Sequence, residues 1–96
     1  MAFTDSDIKL VWEKGEVIPN FDSNKYRKDA CGAWMTRIEY GNRNSDYEWE
    51  IDHISPGGPD HLSNLRPLHW INNLEKSDGR LKCNIRADGN INRRFN

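Results

Sequence analysis

The sequence predicts one small α+β domain, and three observations support that prediction. The chain has 96 residues, a length that suits a single compact domain. Residues 4–15 space their apolar side chains as a helix does, whereas residues 47–54 alternate apolar and polar as a half-buried strand does. Turn-forming segments rich in glycine and proline separate the periodic stretches. Because 30% of the residues are charged and only 35% are hydrophobic, we expect the core to be small.

The N-terminal helix is predicted over residues 4–15, TDSDIKLVWEKG. Three neighbouring residues can each cap its first turn: Thr4, Asp5 and Ser6. Gly15 follows the last turn, and the apolar positions at helical spacing are expected to face inward: Ile8, Val11 and Trp12.

Two strands are predicted in the middle of the chain, after an irregular connector. Residues 33–40, AWMTRIEY, form the first, and residues 47–54, YEWEIDHI, form the second. The polar turn GNRNSD lies between them, so pairing of the two strands across it is one arrangement that the sequence allows.

The next segment predicts a loop, a returning strand and a helix. SPGGPDHLSN must be a loop. LRPLH is short enough for a strand that returns across this loop and forms a β-hairpin with residues 47–54, and Pro67 limits it to an edge or to irregular pairing. WINNLEKSDG predicts a helix of two to three turns closed by Gly79. Its polar stripe, Asn73, Lys76 and Arg80, is expected to face the end of the preceding strand pair.

The chain is therefore divided into three parts. Residues 1–46 are the helix and connector, residues 47–79 are the strand–loop–strand–helix unit, and residues 80–96 are a basic tail with a short hairpin about ADGN. Residues 1–63 carry 7 Lys and Arg against 12 Asp and Glu, a net charge of −5; residues 64–96 carry 7 against 3, a net charge of +4. Most such charge runs are simply solvated, but this asymmetry also fits a basic face for a polyanion beside an acidic site for a cation.

The motif DHI…GG…NL…N..K, which runs from Asp52 to Lys76, resembles the HNH endonuclease family. The upstream segments WEK, YRKDACGAW, YGNRNS and WEIDHI are similar to those of small free-standing HNH proteins of bacteria and phages. Taken singly, each motif residue fits an ordinary structural role; their joint spacing favours the family. The resemblance implies a ββα-metal core and hydrolysis of phosphodiester bonds in DNA.

The resemblance also implies a role for each motif residue. His53 would be the general base, and Asn64 would orient it or brace the loop. Asp52 and Asn73 would hold one divalent cation, magnesium first and manganese as the alternative. Lys76 would meet a phosphate as a point charge. Glu50 is the reserve metal ligand, although a structural hydrogen bond is the favoured role for it. His61 is expected to be exposed on the loop, with a minor role near the substrate phosphate as the alternative.

One geometric condition accompanies these roles. Adjacent residues in a regular strand point to opposite faces. Asp52 and His53 can therefore share a site only if the chain leaves regular strand geometry at this point, for which the following SPGG provides an opportunity.

The expected substrate is DNA, and double-stranded DNA is the favoured form. Phosphate contacts are predicted from six basic residues: Lys76, Arg80, Lys82, Arg86, Arg93 and Arg94. A homodimer or a larger protein partner would fit so small a nuclease. Three alternatives remain: a non-catalytic nucleic-acid-binding module, a ribonuclease, and a protein-interaction domain whose acidic half meets a basic partner.

The two cysteines, Cys31 and Cys83, form no CxxC motif. His69 and Asn72 stand where zinc-binding HNH proteins carry their downstream cysteine pair, so we expect no structural zinc. Two ordinary thiols and a cytoplasmic location, in a bacterial or phage-infected cell, are predicted. No apolar run is long enough to predict a membrane span.

Overall fold

The structure, a computed structural model, describes residues 3–95. Within that range it contains two α-helices, six strands and two 3-10 turns. In chain order the elements are α1 Asp5–Trp12, β1 Tyr26–Lys28, β2 Trp34–Thr36, a 3-10 turn Arg37–Glu39, β3 Trp49–His53, a 3-10 turn Leu62–Asn64, β4 Leu65–His69, α2 Trp70–Leu74, β5 Ile85–Asp88 and β6 Ile91–Arg94. The strands form three antiparallel pairs, β1–β2, β3–β4 and β5–β6. The prediction of one small domain with both helices and strands is confirmed.

The N-terminal helix α1 begins with a capping box. The Thr4 hydroxyl accepts a hydrogen bond from the Asp7 N–H at 3.1 Å, and the Asp7 carboxylate accepts one from the Thr4 N–H at 3.1 Å. These two bonds satisfy backbone donors that a helix start otherwise leaves unpaired. The predicted inward residues Val11 and Trp12 are fully buried, and Ile8 packs against the same core.

The hydrophobic core lies between α1, β2, β3 and β4. Its buried members are Val11, Trp12, Met35, Trp49 and Leu65. The rings of Trp12 and Trp49 lie 5.3 Å apart, centroid to centroid, in a tilted arrangement. These two aromatics supply much of the buried area in a chain with few apolar residues. Through Trp49, the first residue of β3 is packed in the core.

The pairing of the two middle strands that the sequence allows is not the one that the structure contains. β2 pairs with β1, with Arg27 opposite Met35, whereas β3 pairs with β4. The physical reason is that residues 37–39 curl into a 3-10 turn, which ends β2 after three residues. Isolated backbone hydrogen bonds remain between the two segments, such as the one from Thr36 N–H to the Tyr47 carbonyl at 3.0 Å.

The returning strand β4 is confirmed, and it contains Pro67 opposite Ile51. Because the β3–β4 pair has only two strands, the missing N–H of Pro67 can face the unpaired edge of β4. This pairing brings Leu65 opposite His53 and Arg66 opposite Asp52.

The helix α2 is shorter than predicted, with five residues instead of two to three turns. It ends at Leu74 because the chain turns immediately afterwards. Asp78 and Gly79 have φ angles of 52° and 77°, and Ser77 and Arg80 form an isolated β-bridge. Lys76 therefore lies just past the end of α2 and Arg80 lies on the following turn, so the prediction that Asn73, Lys76 and Arg80 form one helical stripe is wrong.

The C-terminal hairpin around ADGN is confirmed as β5 and β6, but the prediction of two ordinary thiols is wrong. Cys31 and Cys83 form a disulfide, with their Cα atoms 5.1 Å apart. Their segments are brought together by a hydrogen bond from the Ala87 N–H to the Gly32 carbonyl at 3.0 Å. In residues 3–95, no helix has the length and apolar character needed to cross a lipid bilayer.

Candidate functional site

The motif residues Asp52 and His53 lie on β3, Asn64 lies in the 3-10 turn before β4, Asn73 lies on α2, and Lys76 lies just past the end of α2. β3 keeps regular pairing through His53, so Glu50 and Asp52 share one face of the strand and His53 lies on the other. The departure from strand geometry that a shared site requires does not occur at Asp52 and His53; the chain leaves the strand only after His53. The motif is consequently split between two faces at the end of β3.

His53 forms a close pair with Asp60, a residue that the sequence analysis did not select. His53 Nε2 lies 2.5 Å from Asp60 Oδ1, and each side chain is about one-third exposed, 32% and 38%. Because a carboxylate only accepts, Nε2 carries the proton in this pair, and the tautomer with this proton has its lone pair on Nδ1. Among residues 3–95, none hydrogen-bonds to Nδ1, so this nitrogen can accept a proton from solvent.

Asn64 braces the loop that carries Asp60. Its Oδ1 accepts a hydrogen bond from the Ser55 N–H at 2.9 Å, and its Nδ2 donates to the Pro59 carbonyl at 2.9 Å. A Cβ at Gly58 would lie 2.8 Å from Asn64 Nδ2, so glycine is required for this close approach. Of the two predicted roles for Asn64, the geometry supports bracing the loop, which orients His53 only through Asp60.

Asp52 is almost completely buried, and both of its carboxylate oxygens are paired. Arg66 Nε donates to Oδ2 at 2.8 Å, and Lys76 Nζ contacts Oδ1. The Asp52 side chain is 2% exposed, against 20% for Arg66 and 15% for Lys76. A carboxylate this well buried needs compensating positive charge, and the two basic side chains supply it.

Glu50 lies beside Asp52 and receives hydrogen bonds from two side chains. Asn73 Nδ2 donates to Oε1 at 3.1 Å, and Arg43 Nε donates to Oε2 at 2.9 Å. Burial alone would raise the pKa of Glu50, but the hydrogen bonds from Arg43 and Asn73 outweigh it and lower the pKa below its ordinary value. The reserve ligand Glu50 is therefore ionised and held against α2.

Glu48 is the unusual acid of this region. Its side chain is fully buried, and among residues 3–95 neither carboxylate oxygen has a hydrogen-bond partner. Burial raises the pKa of Glu48 to about 8, and the neighbouring negative charge of Glu50 acts in the same direction. Glu48 is thus mostly protonated at neutral pH, and it adds no full negative charge beside Glu50.

The implied divalent cation can be tested against the side chains present. The carboxylates of Asp52 and Glu50 and the amide oxygen of Asn73 are hard oxygen donors of the kind that magnesium prefers. In the described part of the chain, no group of three or more His, Cys, Asp and Glu side chains is arranged to hold a metal ion. The donor chemistry fits a cation that keeps several waters, provided that Lys76 leaves Asp52.

The predicted phosphate-binding residues fall into two groups. Three are already paired with acids: Lys76 with Asp52, Arg93 with Asp88 at 3.3 Å, and Arg94 with Glu75 at 3.0 Å. The other three are exposed on the turn after α2 and on β5: Arg80, Lys82 and Arg86. The exposed group is the more available to a polyanion, because it need not break an ion pair.

His69 and His61, the other two histidines, have different surroundings. His69 is buried; its Nδ1 accepts from the Ile71 N–H at 3.2 Å, and its Nε2 donates to the Asp46 carbonyl at 2.7 Å. Burial lowers the pKa of His69, so a neutral, structural role at the start of α2 follows. His61 is exposed on the loop.

No family model matches the sequence, and neither a curated protein nor a solved structure matches it. The interpretation of this site therefore depends on the motif and on the geometry above.

Proposed function

We propose that the chain is a metal-dependent HNH-type endonuclease that hydrolyses phosphodiester bonds in DNA on a ββα-metal core. The supporting observation is the way α2 meets β3. Asn73 contacts Glu50, and Lys76 contacts Asp52. The downstream end of the motif therefore lies against the Glu50 and Asp52 face of β3, the strand that pairs with β4. These contacts support the metal-binding half of the motif; His53 lies on the other face of β3.

His53 is assigned as the general base. With Nε2–H donating to Asp60, the lone pair on Nδ1 can take a proton from a water molecule that attacks phosphorus. The Asp60 carboxylate stabilises the imidazolium that results and holds the ring in one tautomer, as the acid of a catalytic triad does. Asn64 contributes by fixing the loop on which Asp60 lies.

Asp52 and Asn73 are assigned as ligands of one divalent cation, magnesium or manganese, with Glu50 in reserve. A bound cation would neutralise charge on the phosphoryl oxygens and on the leaving oxygen. Lys76, once released from Asp52, can approach a phosphate as a point charge. Arg80, Lys82 and Arg86 together with Arg93 and Arg94 would bind neighbouring phosphates, and affinity would fall as salt rises.

A second candidate is a non-catalytic nucleic-acid-binding module on the same fold. The observation in its favour is that Arg66 and Lys76 already neutralise Asp52, while His53 lies on the opposite face of β3. On this alternative the basic residues bind DNA and no cation is recruited. A cytoplasmic location stays a prediction for either function, and the Cys31–Cys83 disulfide is more typical of oxidising compartments.

The test is cleavage of supercoiled plasmid in magnesium, in manganese and in EDTA. The native protein is compared with His53→Ala, Asp60→Asn and the matched control His61→Ala, which removes an exposed histidine from the same loop. Nicked or linear product that needs metal, is lost in His53→Ala and persists in His61→Ala supports the nuclease. We expect Asp60→Asn to be slower by at least about tenfold, because the asparagine cannot stabilise the imidazolium.

Two outcomes contradict the proposal. Cleavage that survives in His53→Ala means that His53 is not the base. Plasmid binding without cleavage in either metal favours the non-catalytic alternative. A single-stranded RNA substrate in the same series decides between DNA and RNA.

A further inference from the structure

An aromatic cavity lies on the β1–β2 hairpin, outside the motif. Its volume is about 290 Å³, near the lower end of the range for small-molecule sites, so it suits one ring system better than a large ligand. Its walls are four aromatic side chains and two neutral polar ones: Phe21, Tyr26, Trp34, Tyr47, Thr36 and Asn90.

Two of the aromatic walls, Phe21 and Tyr26, are exposed to solvent, whereas Trp34 is buried. Phe21 is 37% exposed and Tyr26 is 41% exposed. The Phe21 ring lies 4.7 Å from the Trp34 ring and 6.3 Å from the Tyr26 ring, centroid to centroid. Trp34 Nε1 donates to the Gly89 carbonyl at 2.8 Å, which fixes the indole. Exposed aromatic surface on a rigid platform is typical of a binding site.

Two lysines, Lys25 and Lys28, lie beside this cavity. Lys28 Nζ lies 4.8 Å from the centre of the Trp34 ring. An adjoining cavity shares Tyr26 and Thr36 and adds Lys25 and Ile38. Among the described residues, the linings of these two cavities contain no acidic side chain. Aromatic rings for stacking, with cations nearby and no acids, match the chemistry of single-stranded nucleic acid.

We propose that this cavity binds an unpaired base of single-stranded DNA. The base stacks against Phe21 and Tyr26, and Lys25 and Lys28 contact the flanking phosphates. Hydroxyl and amide groups at Thr36, Tyr47 and Asn90 can hydrogen-bond with the edge of the base. The inference rests on the proposed function and deepens it, because such a nuclease would favour substrates with an unpaired segment.

The experiment measures binding without cleavage, by fluorescence anisotropy in EDTA. The probes are a short labelled oligothymidylate and an abasic sugar–phosphate oligomer of the same length, which has the charges and lacks the bases. We expect the abasic oligomer to bind about fivefold more weakly or worse, the factor that corresponds to the low end of base–aromatic stacking.

Two variants and one control locate the binding to the cavity. Phe21→Ala and Tyr26→Leu each remove a stacking ring, and Tyr26→Leu keeps apolar volume in β1. Both are expected to weaken oligothymidylate binding about fivefold or more and to leave the abasic oligomer unchanged. Leu10→Ala, at a position on α1 that is 43% exposed, should bind both probes as the native protein does. Circular dichroism confirms that each variant is folded.

The outcomes separate this inference from the nuclease assignment. Equal affinity for the two oligomers, or no effect of Phe21→Ala and Tyr26→Leu in folded protein, overturns the inference even if plasmid is cleaved. Failure to bind oligothymidylate at all also overturns it, and an apolar peptide becomes the better occupant. If the protein binds oligothymidylate more tightly than the abasic oligomer but never cleaves plasmid, the inference about the cavity holds and the nuclease proposal is contradicted.

Discussion

The substitution Glu48→Gln is expected to stabilise the protein at alkaline pH and to change little at acid pH. The Glu48 side chain is fully buried, and its oxygens lack hydrogen-bond partners among residues 3–95. Glutamine has nearly the same shape and cannot ionise. The change therefore removes the cost of a buried negative charge and keeps the packing.

The size of the effect follows from the raised pKa of Glu48. The pKa is about 8 in the folded protein against an ordinary value of 4.5. The folded state therefore binds the proton more tightly than the unfolded state does. The contribution to stability is complete below about pH 4.5 and is lost as pH rises through 8. The difference between these two pKa values corresponds to roughly 3–5 kcal/mol of unfolding free energy.

Urea unfolding followed by tryptophan fluorescence at pH 5, pH 7 and pH 9 measures this difference. We expect native protein and Glu48→Gln to agree within about 1 kcal/mol at pH 5, where both side chains are neutral in the folded state and the pH lies only slightly above the pKa of Glu48 in the unfolded state, and to diverge progressively at higher pH. The control Glu13→Gln removes an exposed carboxylate at the end of α1. Its unfolding free energy should follow that of the native protein at all three pH values. Parallel stability profiles for native protein and Glu48→Gln would refute the argument.

Three further predictions concern the cation site, the disulfide and the first helix. Lys76→Met should strengthen Mn²⁺ binding by about tenfold in a paramagnetic resonance titration, because Asp52 loses a competing positive charge; unchanged affinity would mean that the cation binds elsewhere. Reduction of the Cys31–Cys83 disulfide, which spans 52 residues, should lower the unfolding free energy by about 4 kcal/mol in urea, and coincident curves with and without reductant would contradict this. Thr4→Ala should cost about 1 kcal/mol in thermal unfolding by loss of the capping box, and an unchanged midpoint would count against that cap.

The parts of the fold with strong local signals could be predicted from the sequence. The helix capped at Thr4 and the hairpin around Asp88 and Gly89 depend on residues close in the chain. The pairing of β1 with β2 could not be predicted in the same way, because it depends on where the 3-10 turn at 37–39 ends β2. The short length of α2 depends similarly on the turn at Asp78 and Gly79.

In the candidate site, too, some residues could be predicted from the sequence and others could not. His53, Asn64, Asn73 and Lys76 could be selected because motif spacing is a property of the chain alone. Their partners could not, because they depend on strand register and loop closure. Arg66 contacts Asp52 only in this register of β3 and β4. The contact of Asp60 with His53 had one signal in the sequence. Asp60 lies between the glycine pair and Asn64, in a loop that returns to the end of β3.

The bond between Cys31 and Cys83 closes a covalent ring. The ring contains β2, β3, β4 and α2, and with them every motif residue from Asp52 to Lys76. A protease that cuts one peptide bond in the loop of residues 55–64 would leave two pieces that stay joined through sulfur. After reduction only non-covalent contacts, among them the pairing of β3 with β4, would join the two pieces, so the disulfide makes the candidate site more resistant to a cut in this loop.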